Sequence, residues 1–111
     1  MGVTKTDLFT ETQNELAVAA KVFAHPARIA IIEYLLKSSQ CINGDLVQEL
    51  GLAQATISQH LRELKNIGII RGTIEGTSVC YCINPERWEE IQTLFNTLFN
   101  RYNHPTTDDC C

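Results

Sequence analysis

Hydrogen-bonding side chains recur at helical spacing between residues 54 and 65. Ile57, Leu61, Leu64 and Ile67 are spaced four, three and three residues apart, which predicts a helix that buries one apolar stripe. The opposite face carries amide, hydroxyl and cationic groups. Because these groups can pair with base edges and phosphates, the pattern is typical of a helix that enters a DNA major groove. The candidate contact residues on this helix are Gln54, Ala55, Thr56, Ser58, Gln59, Arg62 and Lys65.

A shorter helix is predicted just before this one. Leu46, Val47 and Leu50 share one face, and Gly51 supplies a helix stop because glycine readily takes the left-handed conformation of a C-terminal cap. Two helices joined by a tight turn make a helix-turn-helix motif. An ordinary surface helix also has a polar face, so that alternative stays open for the motif taken alone.

A hairpin is predicted after the motif. Residues 69–74 and 79–83 are rich in β-branched side chains, and the four residues between the strands include Gly76. A hairpin directly after such a helix is a wing, which lies against the phosphate backbone or the minor groove. Cys80 and Cys82 share one face of the second strand, where cysteine is more often a small hydrophobe than a reactive group.

Two more helices are predicted before the motif. The first covers residues 8–23 and ends ahead of His25-Pro26, because a residue before proline avoids helical geometry. Pro26 can then begin the next helix, which runs to about Lys37. Its expected inward residues are Ile29, Ile32, Leu35 and Leu36.

The last helix has a clear start and an unusually apolar face. Asn84 is a good N-cap, and Pro85 suits the first helical position. Large apolar residues then recur every three or four positions, as in a helix that packs against another helix. A two-fold dimer seam with the first helix is the preferred interpretation, and packing on its own domain is the alternative. The expected seam residues are Leu16, Ala20, Phe23, Trp88, Ile91, Phe95, Leu98 and Tyr102.

The composition is that of one globular domain. With 111 residues and 44% hydrophobic content, we expect a folded domain at residues 8–103 between a flexible N-terminus at residues 1–7 and a flexible cysteine-containing tail at residues 104–111. The sequence has no long apolar run and no secretory signal, which predicts a cytoplasmic protein without membrane contact. The net charge of −4 argues mildly against nucleic acid, but Arg62, Lys65 and Arg71 cluster in or just after the polar helix.

Three segments together resemble the ArsR/SmtB family of bacterial metal- and stress-sensing repressors. They are A-H-P-A-R-I-A-I-I (24–32), Q-A-T-I-S-Q-H-L-R-E-L (54–64) and I-G-I-I-R-G-T-I-E-G-T-S-V-C-Y-C-I (67–83). The resemblance implies a mainly α fold with a small β-hairpin wing, in the order α-α-β-α-α-β-β-α, with its first β element at residues 40–42. It also implies a homodimer through the first and last helices that binds an inverted-repeat operator in double-stranded DNA and leaves it when an inducer binds.

The resemblance also suggests roles for single residues. Gln59 would pair with an adenine edge, Ser58 would bond a base or phosphate, and Arg62 and Lys65 would meet phosphates. For Ser58 and Thr56, a hydrogen bond to the local backbone is the alternative. His60 is interpreted as a structural hydrogen-bonder, with DNA contact as the alternative. The wing tip lacks the usual cation, which leaves Arg71 and the hydroxyls of Thr77 and Ser78 as candidate contacts. Ala53 lacks the side chain of a helix cap.

Cysteine chemistry is the main clue to an inducer. The C-x-C arsenic site of the family is replaced here by Ile42-Asn43-Gly44, and the D-x-H pattern of its zinc site is missing. The adjacent thiols Cys110 and Cys111 suit trivalent arsenic or antimony, with a third thiolate from Cys41, Cys80 or Cys82. The alternatives are incidental tail thiols or a redox or persulfide response, and no obligatory cofactor is expected.

Two other functional classes compete with a DNA-binding repressor. An enzyme is not expected, because the sequence has no recognisable Cys–His–Asp arrangement, glycine-rich phosphate loop or H-E-x-x-H motif. A winged-helix module for protein contact is favoured by the acidic net charge and the uncharged wing tip.

Overall fold

A computed structural model of the chain describes residues 8–37, 46–73 and 80–102. The predicted N-terminal segment, the β element at residues 40–42, the wing tip and the cysteine tail lie outside these residues. Within them, a helix-turn-helix is followed by an antiparallel hairpin and a closing helix, which confirms the predicted winged helix-turn-helix order for the described part. The elements are α1 (Glu11–Val22), α2 (Pro26–Lys37), α3 (Leu46–Leu50), α4 (Gln54–Asn66), β1 (Ile70–Thr73), β2 (Cys80–Ile83) and α5 (Pro85–Phe99).

Side-chain caps fix where the two outer helices begin. At α1, the Thr10 hydroxyl accepts from the Gln13 amide at 3.1 Å, and the Gln13 side chain accepts from the Thr10 amide at 2.9 Å. This capping box satisfies two amides of the first turn, so α1 begins at Glu11 rather than at the predicted Leu8. At α5, Asn84 accepts from the Arg87 amide and Pro85 takes the first turn, as the sequence predicts.

The hydrophobic core is formed by apolar residues from all of the described helices and strands. Three residues of the predicted α4 stripe, Ile57, Leu61 and Leu64, are buried to 2% exposure or less, as predicted. The fourth, Ile67, follows the last residue of the helix and is half-buried. On α2 the prediction was partly wrong, because Ile29 and Leu36 are exposed and the inward stripe includes Arg28 instead. The buried apolar residues are Ala19, Val22, Ile31, Ile32, Leu35, Leu46, Ile57, Leu61, Leu64, Ile69, Ile70, Tyr81 and Ile91.

The wing strands are joined to the core through their inner ends. The register pairs Ile70 with Ile83 and Gly72 with Tyr81, and Tyr81 is fully buried. The Asn84 amide donates to the Ile69 carbonyl at 2.8 Å, where the hairpin meets α5.

Helices α1 and α5 pack together on the side of the molecule that carries the predicted seam. The rings of Phe23 and Phe95 meet edge to face, with centroids 6.2 Å apart. Among the described residues, none of the helices is both long enough and apolar enough to cross a bilayer.

Candidate DNA-binding surface

The polar side of α4 faces outward. Of the predicted contact residues on this helix, Ser58 is half-buried and the others are exposed, while the apolar stripe behind them lies in the core. Both motif helices pack against each other and α4 also packs on α2 and β1, which fixes the direction of this face. The structure therefore brings Gln54, Ala55, Thr56, Ser58, Gln59, Arg62 and Lys65 to one helix surface.

Two weak hydrogen bonds run along this surface. The Gln54 amide donates to the Ser58 hydroxyl at 3.1 Å, and the Gln59 amide donates to the Glu63 carboxylate at 3.4 Å. Exposed pairs at this spacing contribute only about 0.2–0.5 kcal/mol, so either can be exchanged for a contact with DNA. The Gln59 bond uses one of two amide hydrogens and leaves the carbonyl, which gives the donor and acceptor that an adenine edge requires.

Cations flank the surface. Arg62, Lys65 and Arg71 are exposed, and none of them forms an ion pair with another residue in the described ranges. The ion pair seen there joins Arg87 to Glu90 at 3.1 Å on α5. The three exposed cations are therefore available for phosphates. Thr77 and Ser78, the other predicted wing contacts, lie outside the described residues.

The N-terminal end of α4 has no side-chain cap from its N-cap residue. Ala53 occupies the cap position and makes no side-chain hydrogen bond to the helix, so its first-turn amides receive no acceptor from that residue. The positive end of the helix dipole lies at the same place. This end can therefore accept a phosphate oxygen beside the polar face.

His60 lies behind the surface and is a structural hydrogen-bonder, as predicted. Its Nδ1 accepts from Nε of Arg28 at 3.0 Å. Partial burial lowers the pKa of His60, and the nearby charges of Arg28 and His25 lower it further. Arg28 was not among the functional candidates predicted from the sequence. The available signal was an arginine inside the apolar inward stripe of α2.

The predicted seam face holds a mixture of exposed and buried residues. Leu98, Phe99 and Tyr102 are 45%, 66% and 63% exposed. Ile91 was wrongly assigned to the seam, because it is only 4% exposed in the single chain and belongs to its core. Of the remaining seam candidates, Ala20 is exposed, and Leu16, Phe23, Trp88 and Phe95 are half-buried.

The two wing cysteines differ in chemical state. Cys80 is disulfide-bonded, which corrects the prediction of a plain hydrophobe at this position, while Cys82 is a half-buried free thiol. The residues predicted to bind an inducer, Cys41, Cys110 and Cys111, lie outside the described residues. In the described part of the chain, no three or more His, Cys, Asp or Glu side chains are grouped closely enough to hold a metal ion.

Comparison with known proteins agrees with this architecture. Residues 25–71 match the model of a bacterial regulatory protein family, the arsR family. An HTH-type transcriptional regulator of Methanocaldococcus jannaschii, MJ1325, is 34% identical over 88 residues, which are 79% of this chain and 99% of that protein. The transcriptional repressor PagR of Bacillus anthracis is 32% identical over 78 residues, which are 70% of this chain and 78% of that protein.

A solved structure shows the same fold. The crystal structure of M. tuberculosis Rv0081 superposes with a TM-score of 0.60 at 27% identity, over 84% of this chain and 94% of that one. The structural match extends beyond the helix-turn-helix to most of both chains. From its sequence relatives and its fold, the chain belongs to the arsR family of bacterial regulatory proteins and is a winged helix-turn-helix transcriptional regulator rather than an enzyme.

Proposed function

We propose that the protein is a DNA-binding transcriptional repressor that binds an inverted-repeat operator as a homodimer, with α4 in the major groove. One observation carries this proposal. Ile57, Leu61 and Leu64 of α4 are buried to 2% exposure or less, while the amide, hydroxyl and cationic side chains of the helix face outward. A helix that packs one face into the core and exposes a face of small polar side chains fits the DNA major groove.

Each outward residue has a role that its chemistry suits. Gln59 pairs with an adenine edge, while Gln54, Ala55, Thr56 and Ser58 lie along neighbouring bases and phosphates. Arg62 and Lys65 meet phosphates on either side of the groove. Arg71 and Thr77 place the wing against the backbone.

A second copy is needed for useful affinity. One chain offers three cations on this surface and carries a net charge of −4. Two copies raise the number of phosphate contacts to about six, which makes binding tight at low salt and strongly salt-dependent. The exposed apolar residues of α1 and α5 suit a two-fold seam, with Leu16, Ala20, Phe23, Trp88, Phe95, Leu98 and Tyr102 contributing from each copy.

Binding to the protein's own promoter region tests the proposal. The wild-type protein is compared on that duplex and on a scrambled duplex of equal length, together with Gln59→Ala and Arg62→Ala. Lys37→Ala is the control, because it removes one exposed cation from the end of α2 without touching α4. We expect only the α4 variants to weaken binding to the promoter duplex. A wild-type protein that treats both duplexes alike would instead support a module for protein contact.

For the inducer, the proposal is trivalent arsenic or antimony bound in the fully reduced protein by Cys110 and Cys111, with Cys41 as third thiolate. Adjacent thiols are soft ligands, which supports thiophilic ions over zinc. Arsenite is expected to release the wild-type protein from DNA in the cytoplasm. The double variant Cys110→Ser with Cys111→Ser is expected to stay bound, and release of that variant would show that the tail is not the sensor.

The disulfide at Cys80 favours a second candidate, a redox response. Disulfides in cytosolic proteins are usually transient and catalytic or redox-sensing. A cellular dithiol would supply two electrons and two protons, so that the disulfide becomes two thiols and the dithiol becomes a disulfide. Operator affinity that changes with dithiothreitol in the wild type and in Cys82→Ser, but not in Cys80→Ser, supports this candidate. Equal affinity of oxidised and reduced wild type contradicts it.

A further inference from the structure

Arg28 connects three elements behind the DNA-binding surface. It lies in the first turn of α2 and is only 9% exposed. Its Nε donates to Nδ1 of His60 at 3.0 Å, and its Nη1 donates to the carbonyl of Val22 at 3.4 Å. Val22 is the last residue of α1, and His60 lies in the middle of α4. One guanidinium therefore ties the end of the seam helix to the helix that faces DNA.

The hydrogen bond to His60 fixes the protonation of that side chain. Arginine remains a cation in proteins and has only donors, so the Nδ1 that accepts from it must carry no proton. The proton of the neutral ring then lies on Nε2. A second proton can enter Nδ1 only if the bond to Arg28 breaks, and the imidazolium would then face the Arg28 cation and the His25 ring, whose centroid is 5.7 Å away. The carboxylate of Glu63, which lies three residues after His60 on α4, accepts a hydrogen bond from the side-chain amide of Gln59.

His60 and Gln59 are neighbours on the same helix but face different ways. His60 is half-buried toward α2, and Gln59 is exposed. Because a helix turns as a rigid body, whatever sets the rotation of α4 at His60 also sets the direction of Gln59. A paired amide–base contact tolerates errors of only about 0.5 Å and 10–20°. Loss of the hydrogen bond between Arg28 and His60 would therefore weaken the recognition of bases by α4 more than its electrostatic attraction to phosphates.

We propose that Arg28 and His60 are positioning residues for operator recognition. Their hydrogen bond holds α4 at the rotation in which its polar face matches the operator, and neither side chain needs to touch DNA. This proposal rests on the proposed function of α4 as the DNA-reading helix. Protonation of His60 breaks the link, so specific binding weakens as His60 gains its second proton.

The test measures the ratio of operator affinity to scrambled-duplex affinity, with thermal unfolding as the check of folding. His60→Leu removes the acceptor, and His60→Gln keeps an acceptor that does not titrate. At about pH 7.5 we expect the ratio to fall about tenfold in His60→Leu, the effect of one lost charge-assisted hydrogen bond, and to stay near wild type in His60→Gln. Should His60→Leu not fold, Arg28→Lys replaces it, because lysine keeps the charge but cannot reach both partners.

A pH profile separates positioning from general stabilisation. As pH is lowered, the wild-type ratio of operator affinity to scrambled-duplex affinity is expected to fall in parallel with protonation of His60. NMR on the same protein measures that protonation. The ratio of His60→Gln is expected not to change with pH. His25→Gln is the matched control. It should keep the fall but move it to higher pH, because the His25 charge that opposes protonation of His60 is gone.

The result that overturns the proposal is a folded His60→Leu, or its Arg28→Lys replacement, with the wild-type ratio at about pH 7.5. A wild-type ratio that ignores protonation of His60 overturns it equally. Failure of the proposed function looks different: the wild-type protein then shows no preference for the operator at any pH, while NMR still reports the Nε2-protonated ring of His60.

Discussion

Two glycines with positive φ predict very different costs for the same substitution to alanine. Gly51 ends α3 with φ of 69°, and an added Cβ would meet nothing within 4 Å. Gly72 lies in β1 with φ of 131° opposite Tyr81. An added Cβ there would overlap the carbonyl oxygen of Cys80 and lie 2.7 Å from Cα of Tyr81.

The expected magnitudes follow from these surroundings. Gly51→Ala carries only the cost of a left-handed alanine, about 1–2 kcal/mol. Gly72→Ala carries backbone strain of about 1–3 kcal/mol and must also push the strands apart, which disturbs the packing of Tyr81. We expect Gly72→Ala to lower the free energy of unfolding at least about twice as much as Gly51→Ala, a large share of the roughly 5–15 kcal/mol typical of a domain.

Urea unfolding followed by circular dichroism measures this difference. Both variants and the wild type are compared at one protomer concentration, because an oligomer makes apparent stability concentration-dependent. In the proposed complex the wing contacts the DNA backbone, so Gly72→Ala is also expected to bind the operator more weakly than Gly51→Ala. Equal losses of stability in the two variants would refute the close approach of the two strands at Gly72.

Three further predictions concern charge, the seam and pH. Lys65→Ala should reduce the slope of log affinity against log salt concentration by about 1.8, because the proposed dimer loses two phosphate contacts at about 0.9 each. An unchanged slope would mean that Lys65 does not contact phosphate. Ile91→Ala should lower the free energy of unfolding by about 2–5 kcal/mol and change self-association little. Leu98→Ala should mainly weaken self-association, as measured by analytical ultracentrifugation. The reverse pattern would contradict the assignment of Ile91 to the core. Because the pKa of His60 is lowered in the folded state, the native protein binds fewer protons than the unfolded chain. Its contribution to stability should therefore be complete above about pH 6.5 and be lost as pH falls through the lowered pKa, a loss that urea unfolding should not find in His60→Gln.

The elements with strong local signals could be predicted from the sequence. The stripe of Ile57, Leu61 and Leu64 has clear helical spacing and is buried as expected. Asn84-Pro85 combines a cap with a residue that suits the first turn, and α5 begins there. At these positions, the local hydrogen bonds and the apolar pattern favour the same element. The element could therefore be predicted without knowledge of contacts between distant residues.

The remaining errors come from contacts between distant residues. The bond from Arg28 to His60 spans 32 positions, and no local pattern shows that a buried arginine will find an imidazole and a carbonyl. The same contact turns the arginine side of α2 inward and leaves Ile29 exposed. On α5, spacing alone could not separate Ile91 in the core from Leu98 on the surface, because both belong to one apolar stripe. The disulfide state of Cys80 is likewise not visible in the local pattern of β2.

The central claim is that the outward face of α4 reads base edges. The most direct measurement is the affinity of wild type and Gln59→Ala for the operator and for every single base-pair variant of it. We expect the wild type to lose affinity at one symmetric pair of positions that Gln59→Ala no longer distinguishes, with a loss of about 1–3 kcal/mol for each contact. If Gln59→Ala keeps the full wild-type discrimination at all positions, or weakens binding to all of them equally, then Gln59 does not read a base and the claim fails.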